Sequence, residues 1–318
     1  MKVLITGATG LIGNEIVALC HERNMTVNYL TTHRNKVISR SDCQGFYWNP
    51  NTLNIDLGCF KEVSAIINLA GASISKRWTN TYKKEILESR LNALRTLNKA
   101  LNSVDTSGIQ SFVSASAIGV YPHSFISFYT EEEKEVDDSF IGDVVKAWEE
   151  ELHTFTKFNF NISILRIGLV MSSKGGALVE MTRPVKNYVG AAFGAGTQWQ
   201  SWIHINDLAR IFLFLVENRM QGVYNGVASN PVTNTKLIKE IAKALNRPLV
   251  LPNISKFILK ILLGEMSYLL FVSQRVGSKK IEDEGFIFEY RNISKALEEI
   301  YHKDSGERPE DANVPRPI

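Results

Sequence analysis

The stretch KVLITGATGLIG, residues 2–13, decides the fold of this chain. Its apolar beginning predicts a β-strand, and its glycines are typical of a turn that joins a strand to a helix around a dinucleotide. Gly7 would allow the tight turn, Gly10 would let backbone N–H groups approach a pyrophosphate, and Gly13 would let the following helix pack on the sheet. The positive end of that helix, predicted over 14–21, favours an anion without a lysine. Such turns also join elements that bind nothing, but the context favours a dinucleotide, which we expect to contact Gly7, Thr9, Gly10, Leu11, Ile12 and Gly13.

Apolar runs that predict strands alternate with helical patterns through the first two thirds of the chain. We predict strands over 27–31, 65–71, 112–116, 162–167 and 222–225, and helices over 82–101, 143–155, 208–217 and 235–245. This alternation is typical of a parallel sheet covered on both faces. We therefore predict an α/β fold, with a Rossmann-type doubly wound sheet from 1–170 and 203–228 and a smaller C-terminal substrate lobe from 171–202 and 229–303. Residues 304–318, rich in proline and charge, predict a loosely held tail.

Composition narrows the function classes. The 318 residues are 44% hydrophobic, and a net charge of +3 without a basic tract argues against a nucleic-acid partner. A strand follows the first residues directly, with no leader pattern, so we expect a cytoplasmic location. The 3 scattered cysteines predict neither a disulfide framework nor a metal site. The apolar stretch 257–272 contains Lys260 and Glu265 and falls short of the ~20 residues of a membrane span. We expect no membrane partner and a buried or interface helix pair there.

The end of the second predicted strand selects the type of dinucleotide. An acidic residue at this place would accept hydrogen bonds from the ribose hydroxyls of NAD. This chain instead carries the hydroxyls of Thr31 and Thr32 and the guanidinium of Arg34, which suit a 2′-phosphate. The alternative is that Arg34 and Lys36 are solvated loop charges, and for Lys36 we favour that alternative. The sequence therefore predicts NADP(H).

Several motifs together carry a resemblance to a known family. They are TGATGLIG at 6–13, NLAG at 68–71, SAS at 114–116 followed by Tyr121, Leu165-Arg166 and WIHINDL at 202–208. With them the chain resembles the extended short-chain dehydrogenase/reductases of the NAD-dependent epimerase/dehydratase superfamily. Further landmarks, among them Trp148-Glu149, Gly264-Glu265 and SQRV at 273–276, make it similar to the YfcH-like epimerase-family proteins. The resemblance covers essentially the whole chain.

The resemblance implies further cofactor contacts. Small residues after the third strand should line the adenosine and phosphate side, and the helix that follows should contribute a carboxylate and an arginine. Val170 should close over the nicotinamide end. The implied residues are Leu69, Ala70, Gly71, Glu85, Arg90, Ser114, Arg166 and Val170. For the helix, an open alternative is that Glu85 or Glu88 pairs with nearby basic residues on a solvated face.

Catalysis is where the chain departs from the family pattern. The resemblance implies a serine and a YxxxK pair, in which tyrosine is the general acid or base and lysine lowers its pKa. Ser116 matches the serine, but Ile141 and Val145 stand where tyrosine and lysine are expected. Lys146 is one residue off, which is about 100° around a helix. Tyr121 is the nearby phenol at the carboxyl end of a strand, and we expect either a proton relay or a packed aromatic there.

Two other groups of residues have competing interpretations. We expect Asp207 to be a helix N-cap and His204 to be structural, with a substrate contact of His204 as the alternative. Trp199 and Trp202 would form either an aromatic wall for a ring-shaped substrate or lobe packing. The helices predicted over 82–101 and 143–155 are candidates for a homodimer face.

The sequence predicts an NADP(H)-binding oxidoreductase or epimerase that acts on a small carbonyl or hydroxyl substrate. Ser116 would hydrogen-bond the reacting oxygen, and Tyr121 or an ordered water would supply the proton. The alternative is a non-catalytic binding or regulatory module whose conformation depends on NADP. Family members are associated with cell division as well as with epimerase labels. A strict nucleotide-sugar epimerase is disfavoured, because that reaction depends on the missing tyrosine.

Overall fold

A computed structural model describes residues 1–302 of the chain. The strands are β1 (Lys2–Thr6), β2 (Thr26–Thr31), β3 (Cys43–Asn49), β4 (Asn54–Ile55), β5 (Ala65–Asn68), β6 (Ser111–Ala117), β7 (Phe128–Tyr129), β8 (Asn161–Ile167), β9 (Leu169–Met171), β10 (Trp199–Gln200), β11 (Trp202–His204), β12 (Gly222–Gly226), β13 (Val232–Thr233) and β14 (Arg275–Val276). The α-helices are α1 (Leu11–Glu22), α2 (Asn80–Leu101), α3 (Phe140–Leu152), α4 (Ala177–Lys186), α5 (Ile205–Glu217), α6 (Asn234–Ala244), α7 (Lys256–Leu263), α8 (Tyr268–Phe271), α9 (Lys279–Asp283) and α10 (Ile293–His302). The tail predicted over 304–318 lies outside the described residues.

The centre of the molecule is an 8-stranded sheet in the order β12-β8-β6-β5-β1-β2-β3-β4. Its neighbouring strands are parallel, except that β4 is antiparallel to β3. Val3, Leu4 and Ile5 are each 0% exposed, and because successive side chains of a strand point to opposite faces, both faces of the sheet are covered. The predicted α/β doubly wound fold is confirmed. β1 lies between β2 and β5, so the winding reverses there, and the crevice outside the carboxyl ends of these strands is where such folds bind ligands.

Side-chain caps fix where the helices around the sheet begin. Thr79 accepts a hydrogen bond from the N–H of Tyr82 at the start of α2, and Ser139 accepts one from the N–H of Gly142 at the start of α3. Such caps satisfy N–H groups that have no partner inside the helix. Helix α3 therefore begins at Phe140 and not at the predicted residue 143.

A second hydrophobic cluster forms from chain segments that follow β8. It unites residues of β9, α4, β11, α6 and α10, with Met171, Leu178, Trp202, Leu237, Ile241 and Leu297 at its buried centre. Trp202 is 0% exposed, and its indole N–H donates to the carbonyl of Asn230. Trp202 therefore packs inside this cluster and does not line an open wall.

The stretch 257–272 differs from its prediction. It forms α7, a short 3₁₀ turn and α8, but Phe257 is 73% and Ile261 61% exposed. Of the two alternatives, a buried or an interface helix pair, the buried one does not hold for α7, where Leu259 is the buried residue, and the interface one remains a prediction. None of the helices in residues 1–302 is long and apolar enough to cross a membrane. The sequence analysis also missed β3 and α4. The buried residues of α4 recur at helical spacing, at Leu178, Met181, Thr182 and Val185, but Pro184 lies inside the helix and argues against one from local preference.

Candidate cofactor and active site

The glycine turn after β1 is built for close backbone contact. Gly7 has φ of +69°, a conformation that side chains disfavour. A Cβ atom on Gly13 would lie 2.3 Å from the Gly7 carbonyl oxygen, so only glycine lets α1 start this close to the strand. The N–H of Gly10 donates to the Gly7 carbonyl at 3.0 Å, which closes the turn. The turn leads into the N-terminus of α1, where free N–H groups and the helix dipole favour a pyrophosphate.

Buried polar side chains tie the carboxyl ends of β1 and β5 to the middle of β6 below this turn. The Thr6 hydroxyl donates to Asn68 Oδ1 at 2.8 Å and accepts from the N–H groups of Leu69 and Ala70. The Asn68 amide in turn donates to Ser114 Oγ at 3.1 Å. Ser114 is 0% exposed, so its hydroxyl supports Asn68 from inside the sheet. Leu69, Ala70 and Gly71 thus lie on a fixed platform beside the glycine turn, where the sequence predicts the adenosine and phosphates.

The end of β2 presents hydroxyl groups and the guanidinium of Arg34. Thr31 is buried, and its Oγ1 accepts from the N–H of His33, while Thr32 is exposed. The Arg34 guanidinium stacks on the ring of Tyr47, with its Cζ 4.1 Å from the ring centroid. In residues 1–302 no carboxylate is paired with Arg34. These donors fit a phosphate group on the adenosine ribose.

Arg90 supports the turn that follows β5. Its NH1 donates to the carbonyls of Ala72 and Ile86, and its guanidinium lies over the Trp148 ring at 5.1 Å. A Cβ on Gly71 would lie 3.1 Å from Arg90 Cζ, so the turn and the arginine are in contact. Burial lowers the pKa of Arg90 to about 10, and an anion bound near the guanidinium would offset this effect of burial.

The other implied residues lie in different settings. Glu85 is exposed on α2, and the helical repeat separates Glu85 from Arg90 by roughly 140° around the axis. Lys84 pairs with Glu88 at 3.6 Å on the solvated face. Val170 lies in β9, half-buried and paired with Ile203 of β11. The cofactor contacts of Glu85 and Val170 remain predictions.

Ser116 belongs to a group of linked polar side chains, which we call the Ser116 cluster: Ser116, Tyr121, Glu149, Arg166 and Asn225. Ser116 Oγ donates to Glu149 Oε1 at 2.6 Å. Arg166 grips the same carboxylate with two hydrogen bonds, Nε to Oε1 at 2.9 Å and NH2 to Oε2 at 2.7 Å. Although burial lowers the pKa of Arg166, the hydrogen bonds and charge of Glu149 outweigh it and raise that pKa above its ordinary value. The cluster holds a fixed ion pair directly behind the Ser116 hydroxyl.

Tyr121 is locked at the far side of this cluster. It is 0% exposed; its hydroxyl accepts from Arg166 NH1 at 3.0 Å and donates to Asn225 Oδ1 at 2.8 Å. Burial raises the pKa of Tyr121, partly offset by the nearby Arg166 charge. A proton that left Tyr121 would have to pass through Arg166 or Asn225. The placement suits a positioning role better than direct contact with a ligand.

Helix α3 supplies Glu149, which the sequence analysis did not select. Ile141 and Val145 are buried on α3, and Lys146 is exposed, so none of them brings a proton-transferring group to Ser116. Glu149 lies one helical turn beyond Val145 on the same face. A carboxylate spaced four residues from the expected lysine position was the signal that would have found it.

The prediction that Asp207 caps α5 is wrong. Helix α5 begins at Ile205, and the cap is His204, whose Nδ1 accepts from the N–H of Asn206. Asp207 lies inside the first turn, 0% exposed, where it pairs with Arg210 and accepts from the N–H groups of Glu289 and Tyr290. Its carboxylate holds the chain before α10 in place. His204 Nε2 lies 3.1 Å from Glu299 Oε2, which agrees with a structural histidine.

No group of His, Cys, Asp and Glu in the described part of the chain has the arrangement of a metal site. Cys20, Cys43 and Cys59 are buried free thiols. Burial raises the pKa of Cys20 to about 12, so this thiol stays protonated.

The fold and the turn together define a dinucleotide-binding α/β protein. Residues 3–227 match the NAD dependent epimerase/dehydratase family, and residues 254–300 match a domain of unknown function, DUF1731. The chain therefore belongs to the NAD dependent epimerase/dehydratase family, as an extended short-chain dehydrogenase/reductase-type member.

Similar proteins extend over nearly the whole chain. An epimerase family protein of Staphylococcus aureus (strain MRSA252) is 34% identical over 310 residues, covering 95% of this chain and 99% of the relative. The crystal structure of the human epimerase family protein SDR39U1 with NADPH has a TM-score of 0.83 at 26% identity, covering 95% of this chain and 99% of that one. A UDP-glucuronic acid 4-epimerase from Bacillus cereus, with UDP-glucuronic acid and NAD, has a TM-score of 0.75 at 18% identity and covers 95% and 98%. The last likeness concerns the fold alone.

Proposed function

We propose that this protein is an NADP(H)-dependent oxidoreductase or epimerase that acts on a small carbonyl or hydroxyl substrate. The observation that carries the proposal is the glycine turn. The Gly7 carbonyl occupies the space that a Cβ atom on Gly13 would need, so α1 can start directly against the strand. Gly7, Thr9, Gly10, Leu11, Ile12 and Gly13 would hold the pyrophosphate. Leu69, Ala70, Gly71 and Arg90 would lie along the adenosine side. When bound, NADP(H) supplies hydride transfer to or from a carbon of the substrate.

The preference for NADP(H) over NAD(H) rests on Thr31, Thr32 and Arg34. A guanidinium without a carboxylate partner attracts a 2′-phosphate, whereas an aspartate at this place would repel it. The NADPH complex of the human relative supports the same choice. Stacking on Tyr47 keeps the Arg34 guanidinium near the end of β2, so it loses little freedom on binding.

Calorimetry with NADPH and NADH tests this preference. We expect the wild type to bind NADPH at least tenfold more tightly, and Arg34→Glu to remove or reverse the difference. Lys36→Glu is the matched control. It makes the same change of charge two residues away, at a side chain that we assign to solvent. Equal affinities of the wild type for the two nucleotides would contradict the NADP(H) assignment, and no heat with either would contradict the cofactor itself.

Ser116 is proposed to contact the reacting oxygen of the substrate. Its proton lies toward Glu149 Oε1, so the free lone pairs of Ser116 Oγ can accept a hydrogen bond from a substrate hydroxyl. Arg166 keeps Glu149 in place through both carboxylate oxygens. The proton donor would be Tyr121 or an ordered water. The Tyr121 hydroxyl is buried and already makes two hydrogen bonds, which favours the water.

A turnover screen on carbonyl compounds and nucleotide sugars tests the catalytic part. Ser116→Ala should lower kcat by roughly 10²-fold or more, since losing one hydrogen-bonding group at the reacting oxygen costs about 10²–10³-fold. Tyr121→Phe should change kcat much less if water supplies the proton. An active wild type with an unchanged Ser116→Ala variant would refute the role of Ser116.

The second candidate is a non-catalytic module in which NADP(H) stabilises a conformation that a partner protein recognises. The observation that favours it is the pair of buried apolar side chains, Ile141 and Val145, at the positions of the family tyrosine and lysine. Tight NADPH binding together with failure of every substrate would support the module. A homodimer through α2 and α3, and a cytoplasmic location, remain predictions.

A further inference from the structure

Arg275 on β14 is a cation held between two aromatic rings. Its guanidinium Cζ lies 4.6 Å from the ring centroid of Trp199 and 5.3 Å from that of Phe128. Its Nε atom is buried without a hydrogen-bond partner. Within residues 1–302 no carboxylate pairs with Arg275. The side chain is therefore held in place while its hydrogen-bond donors stay free.

Fold stability does not explain this arrangement. A buried donor without an acceptor costs about 1–3 kcal/mol, which is similar to what stacking on aromatic rings returns. Arg166 shows the contrast, because its donors are taken up by Glu149 and Tyr121. A rigid guanidinium with a free edge is suited to donate two parallel hydrogen bonds to a carboxylate or a phosphate.

The strand that carries Arg275 packs beside Tyr121 of the Ser116 cluster. β14 pairs with β7, and the Tyr129 ring of β7 stacks on Tyr121 with centroids 5.4 Å apart. The Gln274 amide, next to Arg275, donates to the backbone carbonyl of Tyr121. Arg275 thus belongs to the structure that packs on the segment after β6, the strand that carries Ser116.

The surroundings of Arg275 present apolar rings to solvent. Phe125 is 51% and Phe128 53% exposed. The indole N–H of Trp199 donates to the Phe125 carbonyl at 3.2 Å, which ties the exposed segment to the stacked arginine. A Cβ on Gly277 would lie 2.7 Å from Phe128 Cε1, so the absence of a side chain there lets Phe128 lie in place over Arg275.

We propose that Arg275 binds an anionic group of the substrate, a carboxylate or a phosphate, with Trp199 and Phe128 forming apolar walls around it. The inference rests on the proposed function, because it adds a substrate class to the site that Ser116 marks. It restricts the small carbonyl or hydroxyl substrate to one that carries a negative charge at some distance from its reacting carbon.

Nuclear magnetic resonance of the arginine Nε–H groups tests this directly in the full chain. The Arg275 resonance is identified by its loss in Arg275→Lys, and the protein is titrated with sodium succinate and with inorganic phosphate at constant ionic strength. We expect a saturable shift of the Arg275 resonance with at least one probe, and the stronger probe distinguishes carboxylate from phosphate. Arg247 is the matched control, because it stacks on Tyr188 at 4.9 Å but is exposed. No shift, or an equal shift of Arg247, would overturn the proposal.

The Gly277→Ala variant tests the aromatic wall without removing the charge. The added methyl group must displace Phe128, and we expect about a tenfold weaker binding of the effective probe. An unchanged affinity in a folded variant would contradict the role of Phe128 in holding Arg275.

A parallel titration with NADPH separates this inference from the cofactor proposal. NADPH should shift the backbone amides of Gly10 and Ile12, whereas the small anions in the presence of NADPH should shift Arg275. Arg275 shifts without an effect of NADPH would uphold the anion site and defeat the cofactor. NADPH shifts without an effect of either anion would do the opposite.

Discussion

At the glycine turn backbone atoms define the site, whereas at Ser116 side chains from separate strands and helices define it. Gly7, Gly10 and Gly13 act within one short stretch, and their geometry follows from the absence of side chains. Ser116, in contrast, depends on Glu149, 33 residues away, and Tyr121 depends on Asn225, 104 residues away. The glycine turn can therefore form with β1 and α1, while the Ser116 cluster requires β6, α3, β8 and β12 to be assembled. Substitutions should damage the two ends in different ways.

The largest expected effect is at the ion pair of the Ser116 cluster. Arg166→Met leaves the Glu149 carboxylate largely buried without its partner, and breaking such a pair costs about 3–5 kcal/mol of the free energy of unfolding. Urea denaturation followed by circular dichroism measures this loss. Arg95→Met is the matched control: Arg95 pairs with Glu151 at 2.9 Å, but its side chain is 49% exposed, so about 1 kcal/mol or less is expected. Equal losses for the two variants would show that the cluster does not depend on this pair.

The glycine turn should respond in affinity as well as in stability. In Gly13→Ala the new methyl group would meet the Gly7 carbonyl oxygen at 2.3 Å, so α1 must move away from the turn. We expect a loss of about 1–3 kcal/mol of stability from overpacking and at least a hundredfold weaker NADPH binding, or about 2.7 kcal/mol. Gly108→Ala is the control, because its nearest contact would be an ordinary 3.7 Å. Unchanged NADPH affinity in Gly13→Ala would remove the turn from the cofactor site.

The contrast between the two ends also explains what the sequence could predict. The parallel sheet, its buried strands and the glycine turn follow from local periodicity and from glycines in one stretch. The Ser116 cluster does not, because hydrogen bonds between distant residues leave no local pattern. Glu149 was visible as a landmark of the family, but its contact with Ser116 depends on how α3 packs on β6.

Helix ends show the same limit on a smaller scale. Aspartate is a frequent N-cap, so Asp207 was the reasonable choice from local preference. The structure starts α5 at Ile205 and uses Asp207 to bind backbone N–H groups of Glu289 and Tyr290, more than eighty residues away. Likewise α7 has the composition of a buried helix, yet Phe257 and Ile261 are exposed, because burial depends on what else packs there.

Tyr121→Phe tests whether Tyr121 holds the cluster together or transfers a proton. Removing the hydroxyl leaves Arg166 NH1 and Asn225 Oδ1 without this partner, which should cost about 1–3 kcal/mol of stability. Tyr188→Phe, at an exposed tyrosine, should change stability by less than about 0.5 kcal/mol. If Tyr121→Phe leaves stability intact and abolishes turnover, the positioning role is wrong and the proton relay is supported.

The smallest effect is expected at His204, which joins α5 to α10 and resembles the Ser116 cluster in linking distant elements. Burial lowers the pKa of His204 below its ordinary 6.5, although the charges of Glu299, Asp207 and Glu15 partly oppose this. The folded state therefore keeps the ring neutral, while the unfolded chain takes up a proton as the pH falls through about 6.5. The contribution of His204 to stability is complete above that pH and decreases below it.

His204→Ala isolates this contribution. At pH 8 the variant should lose about 1 kcal/mol, because the N–H of Asn206 loses its cap. Between pH 6.5 and more acidic values, the free energy of unfolding of the variant should fall less steeply than that of the wild type. Parallel pH profiles for the two proteins would mean that Glu299 compensates the cost of burial fully, so that His204 joins the helices with no dependence on its charge.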